Sequence, residues 1–169
     1  MPLSMSQAST PVFVQLLTAL SGILDKARAH AEARKIDPSV LLNTRLYPDM
    51  FPLARQVQIA CDFAKNTVGR LSGAEIPKFE DKEATFDELK ARIAKTLDYV
   101  NSIKAAQLDG TEDKTVTFPM GPQTMSIKGR PYLVNFALPN FYFHLSMAYA
   151  ILRHCGVEVG KRDFVGAFQ

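Results

Sequence analysis

The stretch LPNFYFHLSMAYAILRHCGV, Leu138 to Val157, is apolar along nearly its whole length and carries Asn140 and His144 near its centre. At about 100° per residue, Leu133, Ala137, Asn140, Phe141, Met147, Ala148, Ile151 and Cys155 all fall within roughly 60° of His144. His144 therefore points into whatever this helix packs against. A buried imidazole needs a hydrogen-bond partner, and Asn140 at i−4 or a backbone carbonyl is the expected one. From Pro131 to Leu152 no acidic or basic residue occurs apart from His144, which resembles a membrane span in composition. Asn135, Pro139, Asn140, His144 and Ser146 would then lie at bilayer depth with no second span to satisfy them. A helix buried inside a bundle explains the same run with fewer costs.

Three further helices read out on the N-terminal side. From Gln7 to Arg34, Phe13, Leu16, Leu17, Leu20, Leu24 and Ala27 recur at helical spacing, while Asp25, Lys26, Arg28 and Glu32 fall off that stripe. Asp37-Pro38 supplies an N-cap and first-turn proline for a short helical turn, Ser39 to Leu42. Pro52 to Leu71 repeats the apolar pattern and stops at Ser72-Gly73, with Gln56 the polar residue closest to its inward stripe. Residues Ala74 to Ala84 form a charged connecting loop. Thr85 then caps the third long helix with Glu88 as its capping-box partner, and Phe86, Leu89, Ile93, Leu97, Val100 and Ile103 make its apolar face.

Between Gly110 and Arg130, TVTF and TMSI alternate polar and apolar residues around Pro119-Met120-Gly121-Pro122, which predicts a short β-hairpin. Pro131 opens the fourth long helix, and Pro139 inside it should kink or restart the helix one turn before His144. Four long helices with one apolar stripe each bury those stripes against one another, so the fold class is all-α: a four-helix bundle with a hairpin between the third and fourth helices. With 169 residues, the chain reads as one domain over residues 1–169.

Composition removes several function classes. Twenty Lys and Arg against 17 Asp and Glu leave only +3, scattered along the chain, and no basic patch interleaves with exposed aromatics; nucleic acid is not an expected partner. Cys61 and Cys155 form neither a disulfide framework nor a metal-type spacing, which fits reduced thiols in a cytoplasmic protein with no membrane partner. The opening MPLSMSQASTPVFVQLL has no signal-peptide pattern. No nucleophile elbow, phosphate-cradling glycine loop or paired carboxylates on an apolar face occur.

The segments SQASTPVFVQLLTALSGILDKA, LYPDMFPLARQVQIACDFAK and LPNFYFHLSMAYAILRHCGV, the last followed by GKRDF, together resemble an uncharacterised bacterial family of the DinB/YfiT-like metalloenzyme superfamily. The resemblance implies an up-down-down-up four-helix bundle, often a homodimer, and the exposed tyrosines Tyr142 and Tyr149 of the last helix suit such an interface. It also implies a divalent-metal site for nickel, zinc or iron, built from one His of the second helix and an HxxxH pair in the last. Here the pair falls on Asn140 and His144, and the second-helix position falls on Gln56, or on Gln58 if the register differs. With two amides in place of imidazoles, the metal site is degenerate. The first functional expectation is a small-molecule-binding protein with a pocket at Gln56, Asn140 and His144, rimmed by the hairpin. Two alternatives stand beside it: an enzyme using a weak metal or catalytic His144 on a small or thiol-bearing substrate, and a non-catalytic dimeric scaffold.

Overall fold

A computed structural model describes residues 3–167. The chain is mostly helical, with α1 at Met5–Arg34, α2 at Pro38–Leu42, α3 at Leu53–Ser72, α4 at Phe86–Ser102 and α5 at Ala105–Leu108. Strands β1 (Thr115–Met120) and β2 (Gln123–Lys128) follow as an antiparallel hairpin, pairing Val116 with Ile127 and Phe118 with Met125. The C-terminal third holds a turn of helix α6 (Gly129–Pro131), a π-helical segment (Tyr132–Ala137), α7 (Leu138–His154) and α8 (Lys161–Val165). Against this, the first expected helix begins two residues earlier than the apolar pattern alone indicates. Ser4 caps it, with Gln7 completing the capping box.

The core forms where the apolar stripes of α1, α3, α4 and α7 meet. Phe13, Leu17 and Leu24 of α1, Val57, Ala60 and Ala64 of α3, Leu89 and Ile93 of α4, and Phe141, Ala148 and Ile151 of α7 are all essentially buried. Phe13 meets Phe141 edge-on at 4.9 Å between ring centroids, the arrangement that aligns a ring's positive edge with its neighbour's negative face. By length and composition α1 could cross a bilayer, but its apolar stripe is the one facing this core.

The expected disruption at Pro139 is present as a restart: α7 begins at Leu138 with the proline in its first turn, after a π-helical segment that ends where the Leu138 N–H bonds to Leu133 O, five residues back. Proline has no N–H to give and its ring crowds the carbonyl four residues back, so a wider turn immediately before Pro139 accommodates both defects. The segment is thereby positioned so that Tyr132, Phe136 and Asn140 run toward His144.

The hairpin is anchored to α3. Val116 and Phe118 point inward, 2% and 3% exposed, and Lys114 Nζ donates to the carbonyls of Arg70 and Leu71 at 3.1 and 2.7 Å. Those carbonyls lie in the last turn of α3, where a cation meets the negative pole of the helix. Arg70 in turn stacks over Phe118 and donates to the Tyr132 hydroxyl at 3.1 Å.

Arg92, a side chain that the sequence pattern did not single out, gathers much of the charged loop 74–84, alongside Lys65, Gln58, Arg55 and Tyr99. Arg92 of α4 is 3% exposed, and it reaches Asp62 at 2.9 Å, Asp81 and Glu83 each at 3.0 Å, and the Glu80 carbonyl at 3.3 Å. Leu89, Arg92 and Thr96 follow helical spacing, which was the available signal. Arg92→Ala would leave Glu83, only 12% exposed, without its cation; we expect a loss of roughly 3–5 kcal/mol in chemical denaturation. The second prediction concerns Gly129, where an added Cβ would sit 2.0 Å from the Thr111 carbonyl oxygen. Gly129→Ala should therefore lower stability by about 3 kcal/mol, read from the same unfolding midpoints, because backbone cannot yield as a side-chain tip can.

Candidate functional site

The inward polar residues of α3 and α7 meet across the seam between the two helices. His144 is 8% exposed and Gln56 1%, and His144 Nδ1 lies 2.7 Å from Gln56 Oε1. The Gln56 amide donates through Nε2 to the Phe51 carbonyl at 3.1 Å. That second bond decides the first: a carbonyl only accepts, so Nε2 must face Phe51 and Oε1 must face the imidazole. Nδ1 is therefore the protonated nitrogen of His144, and the lone pair of the neutral ring resides on Nε2. Nε2 makes no hydrogen bond among the described residues and is not sealed from solvent.

Rings surround this imidazole. Phe63 stacks on it at 5.9 Å with an interplanar angle of 18°, and Phe143 meets it edge-on at 5.2 Å. Phe63 continues to Phe136 at 5.8 Å, and Phe136 to Phe118 of the hairpin at 4.8 Å. The hairpin thus adjoins the site through an aromatic row rather than by direct contact with His144. Burial first, and the nearby positive charge of Arg55 second, push the His144 pKa down from 6.5 to about 4. At neutral pH the ring is uncharged, an acceptor at Nε2.

Each residue expected from the sequence can now be placed. Gln56, not Gln58, is the partner on the second long helix; Gln58 points to the other side, where it donates to Glu83 at 2.9 Å and accepts from Arg55 at 3.3 Å. The expected bond between Asn140 and His144 is not formed. Asn140 Nδ2 donates to Phe136 O at 2.7 Å, one turn back along its own helix, and this local bond turns the amide away from the imidazole. Asn140 remains half-buried, held to Phe136 one turn back along the chain. Of the tyrosines expected at an interface, Tyr142 is 40% exposed, whereas Tyr149 packs against Phe164 of α8 at 5.7 Å and is partly covered by it. Cys61 is buried, and desolvation raises its thiol pKa to about 12, which removes it as a nucleophile.

The donor set does not fit a resident transition metal. Among the described residues no group of three His, Cys, Asp or Glu side chains converges. The Gln56 oxygen that would stand in for an imidazole is already accepting from His144. Asn140 is committed to a backbone carbonyl, so one imidazole nitrogen remains, and a single borderline donor does not hold zinc or nickel. Gln56 occupies instead the role that carboxylates and carbonyls play around metal-bound histidines: it fixes the tautomer and aims the other nitrogen.

The comparisons with known proteins make this mostly helical fold with its short antiparallel hairpin DinB-like. Residues 5–165 match the model of a domain of unknown function, DUF1993, so the chain belongs to that family. The crystal structure of a DinB family member from Shewanella denitrificans is similar at 43% identity and a TM-score of 0.88, covering 96% of this chain and 92% of that one. No curated protein matches the chain.

The site sets a pH dependence of stability. Because the folded pKa of His144 is depressed, the unfolded chain binds more protons between pH 6.5 and about 4, so stability must fall as pH is lowered through that window. A shift of that size corresponds to roughly 3 kcal/mol. Urea denaturation at pH 7 and pH 4 should show that extra loss in the wild type and its absence in His144→Leu; equal losses in both would show that His144 does not resist protonation.

Proposed function

We propose that this DinB-like protein binds a small molecule in a cleft beside His144, where a metal site of the DinB type is reduced to a hydrogen-bonding one. The observation that carries the reading is the neutral imidazole whose Nδ1 proton is committed to Gln56 and whose Nε2 lone pair is left available. Such a group accepts one hydrogen bond from an N–H or O–H donor at neutral pH. Phe63 and Phe143 supply apolar faces beside it, and Phe51, 52% exposed, and Phe143, 51% exposed, add uncovered ring surface. A planar, partly aromatic ligand with one donor matches that combination, since pockets pair apolar walls with a few fixed polar groups. Asn140 adds an amide at the edge of the cleft.

The catalytic reading is weaker on the same geometry. A ring with a pKa of about 4 carries no proton to donate at neutral pH and is a poor proton acceptor toward a substrate. A carboxylate orienter would raise that basicity; Gln56 is neutral. The larger arrangement belongs to the proposal too: one domain, the four long helices in the up-down-down-up order of DinB-like bundles, in a cytoplasmic homodimer that covers exposed Tyr142.

Screening aromatic amides and phenols by NMR tests the function. Binders should perturb Phe63, Phe136 and His144, and His144→Leu should weaken them by on the order of tenfold, the worth of one hydrogen bond. Purified protein should carry no stoichiometric nickel, zinc or iron; near-stoichiometric metal that His144→Ala removes would overturn the reading. A fully screened protein that binds no fragment would leave the scaffold reading in its place. Light scattering at micromolar concentration should give the mass of a dimer, and a monomer would remove that part.

A further inference from the structure

A cavity of about 390 Å³, lined by neither His144 nor Gln56, lies between loop 74–84 and α4. Lys78 and Phe79 line it from the loop, and Ala91, Arg92 and Lys95 from the helix. Its charge is sorted by partner. Glu83 is committed to Arg92 and Gln58. Glu88 closes the N-terminus of α4, accepting from the Ala84 and Thr85 N–H groups at 2.7 and 3.0 Å. Glu80 pairs with Lys82 at 2.5 Å. Glu80 and Glu83 are thus paired with cations and Glu88 keeps its charge but has both its capping bonds to backbone N–H groups, while Lys78 and Lys95 form no ion pair among the described residues.

Beneath them, Arg92 holds the only buried side-chain polar atom among the described residues without a hydrogen-bond partner, its Nε. The two unpaired lysines outweigh the one carboxylate without a cation, Glu88, and the orphaned donor is on a cation as well. The Phe79 ring, flanked by Lys65 at 4.6 Å and Arg92 at 5.5 Å, gives the cavity an apolar wall beside its cations, and Ala91 leaves open space on the helix side. The volume is that of a metabolite-sized ligand.

We propose that this cavity binds a small organic oxyanion, a carboxylate or phosphate monoester, with its charged group on Lys78 and Lys95 and its apolar part against Phe79 and Ala91. Lys78 of the loop and Lys95 of α4 are both exposed and both line the one cavity, so a single anion there could draw on both. Occupancy would also brace loop 74–84 against α4, because the ligand would touch both.

Titration with phenyl phosphate and with benzoate, followed by amide NMR at low salt, tests the site. At least one probe should give saturable shifts at Phe79, Ala91 and Lys95 that weaken as salt is added. The Lys78→Glu/Lys95→Glu double variant should weaken that probe by on the order of tenfold or more. Ala91→Trp should block it by filling the cavity from an exposed helix position. Thermal melts of both variants check that the fold persists, and Lys78→Arg/Lys95→Arg should retain binding. Failure of both probes to saturate, or equal binding by wild type and the charge-reversed variant, would overturn the proposal.

Discussion

The seam between α3 and α7 has to satisfy its own polar groups, because the apolar stripes on either side leave no other partner within reach. Gln56 and His144 do this for each other. Their 2.7 Å bond sets which imidazole nitrogen carries the proton, and the bond from Gln56 to the Phe51 carbonyl sets which way the amide faces. A buried histidine left unpaired would cost the full desolvation of its polar atoms; paired in this way it becomes a fixed feature of the helix interface. The same bond connects fold to chemistry, since it fixes the proton on Nδ1 of a ring that burial keeps neutral and so leaves the lone pair on Nε2.

What stands behind that bond is the irregular start of the last long helix. The π-helical segment before Pro139 lets one continuous rod carry Tyr132, Phe136 and Asn140 toward His144, and the hairpin joins through Phe118. Gln58 leads to a second polar system in which Arg92 gathers loop 74–84, and Arg55, whose charge also reaches His144, stands between the two. One helix thus divides the molecule's polar interior in two. The His144 side is aromatic and uncharged in its centre, and the Arg92 side is dominated by ion pairs.

Much of this was legible in the sequence because it follows periodicity. The four long helices, the Thr85 and Glu88 capping box, the hairpin and the inward aim of Gln56 and His144 all come from spacing that any core must respect. The partners were less legible. Asn140 shares a face with His144, yet angular position does not say whether a short amide will reach across a turn or fold back onto the Phe136 carbonyl. The wider π turn was hidden for a related reason: Pro139 announces a defect, but whether the helix kinks or widens depends on what packs around it. Arg92 lay on the stripe of its helix and was masked by the habit of reading charge as solvent-facing. Only the fold shows that Asp62, Asp81 and Glu83 converge on it. Tyr149, read as free surface, is covered by a C-terminal helix too short to announce itself.

The most direct test is the nitrogen-15 spectrum of the His144 ring, followed from pH 8 to pH 3.5. The account requires the Nδ1–H tautomer throughout the neutral range and a protonation midpoint near 4, with Gln56→Leu releasing the tautomer preference. An Nε2–H ring, or a midpoint at or above the ordinary 6.5, would contradict it, because the nitrogen assigned to ligand recognition would then be carrying a proton.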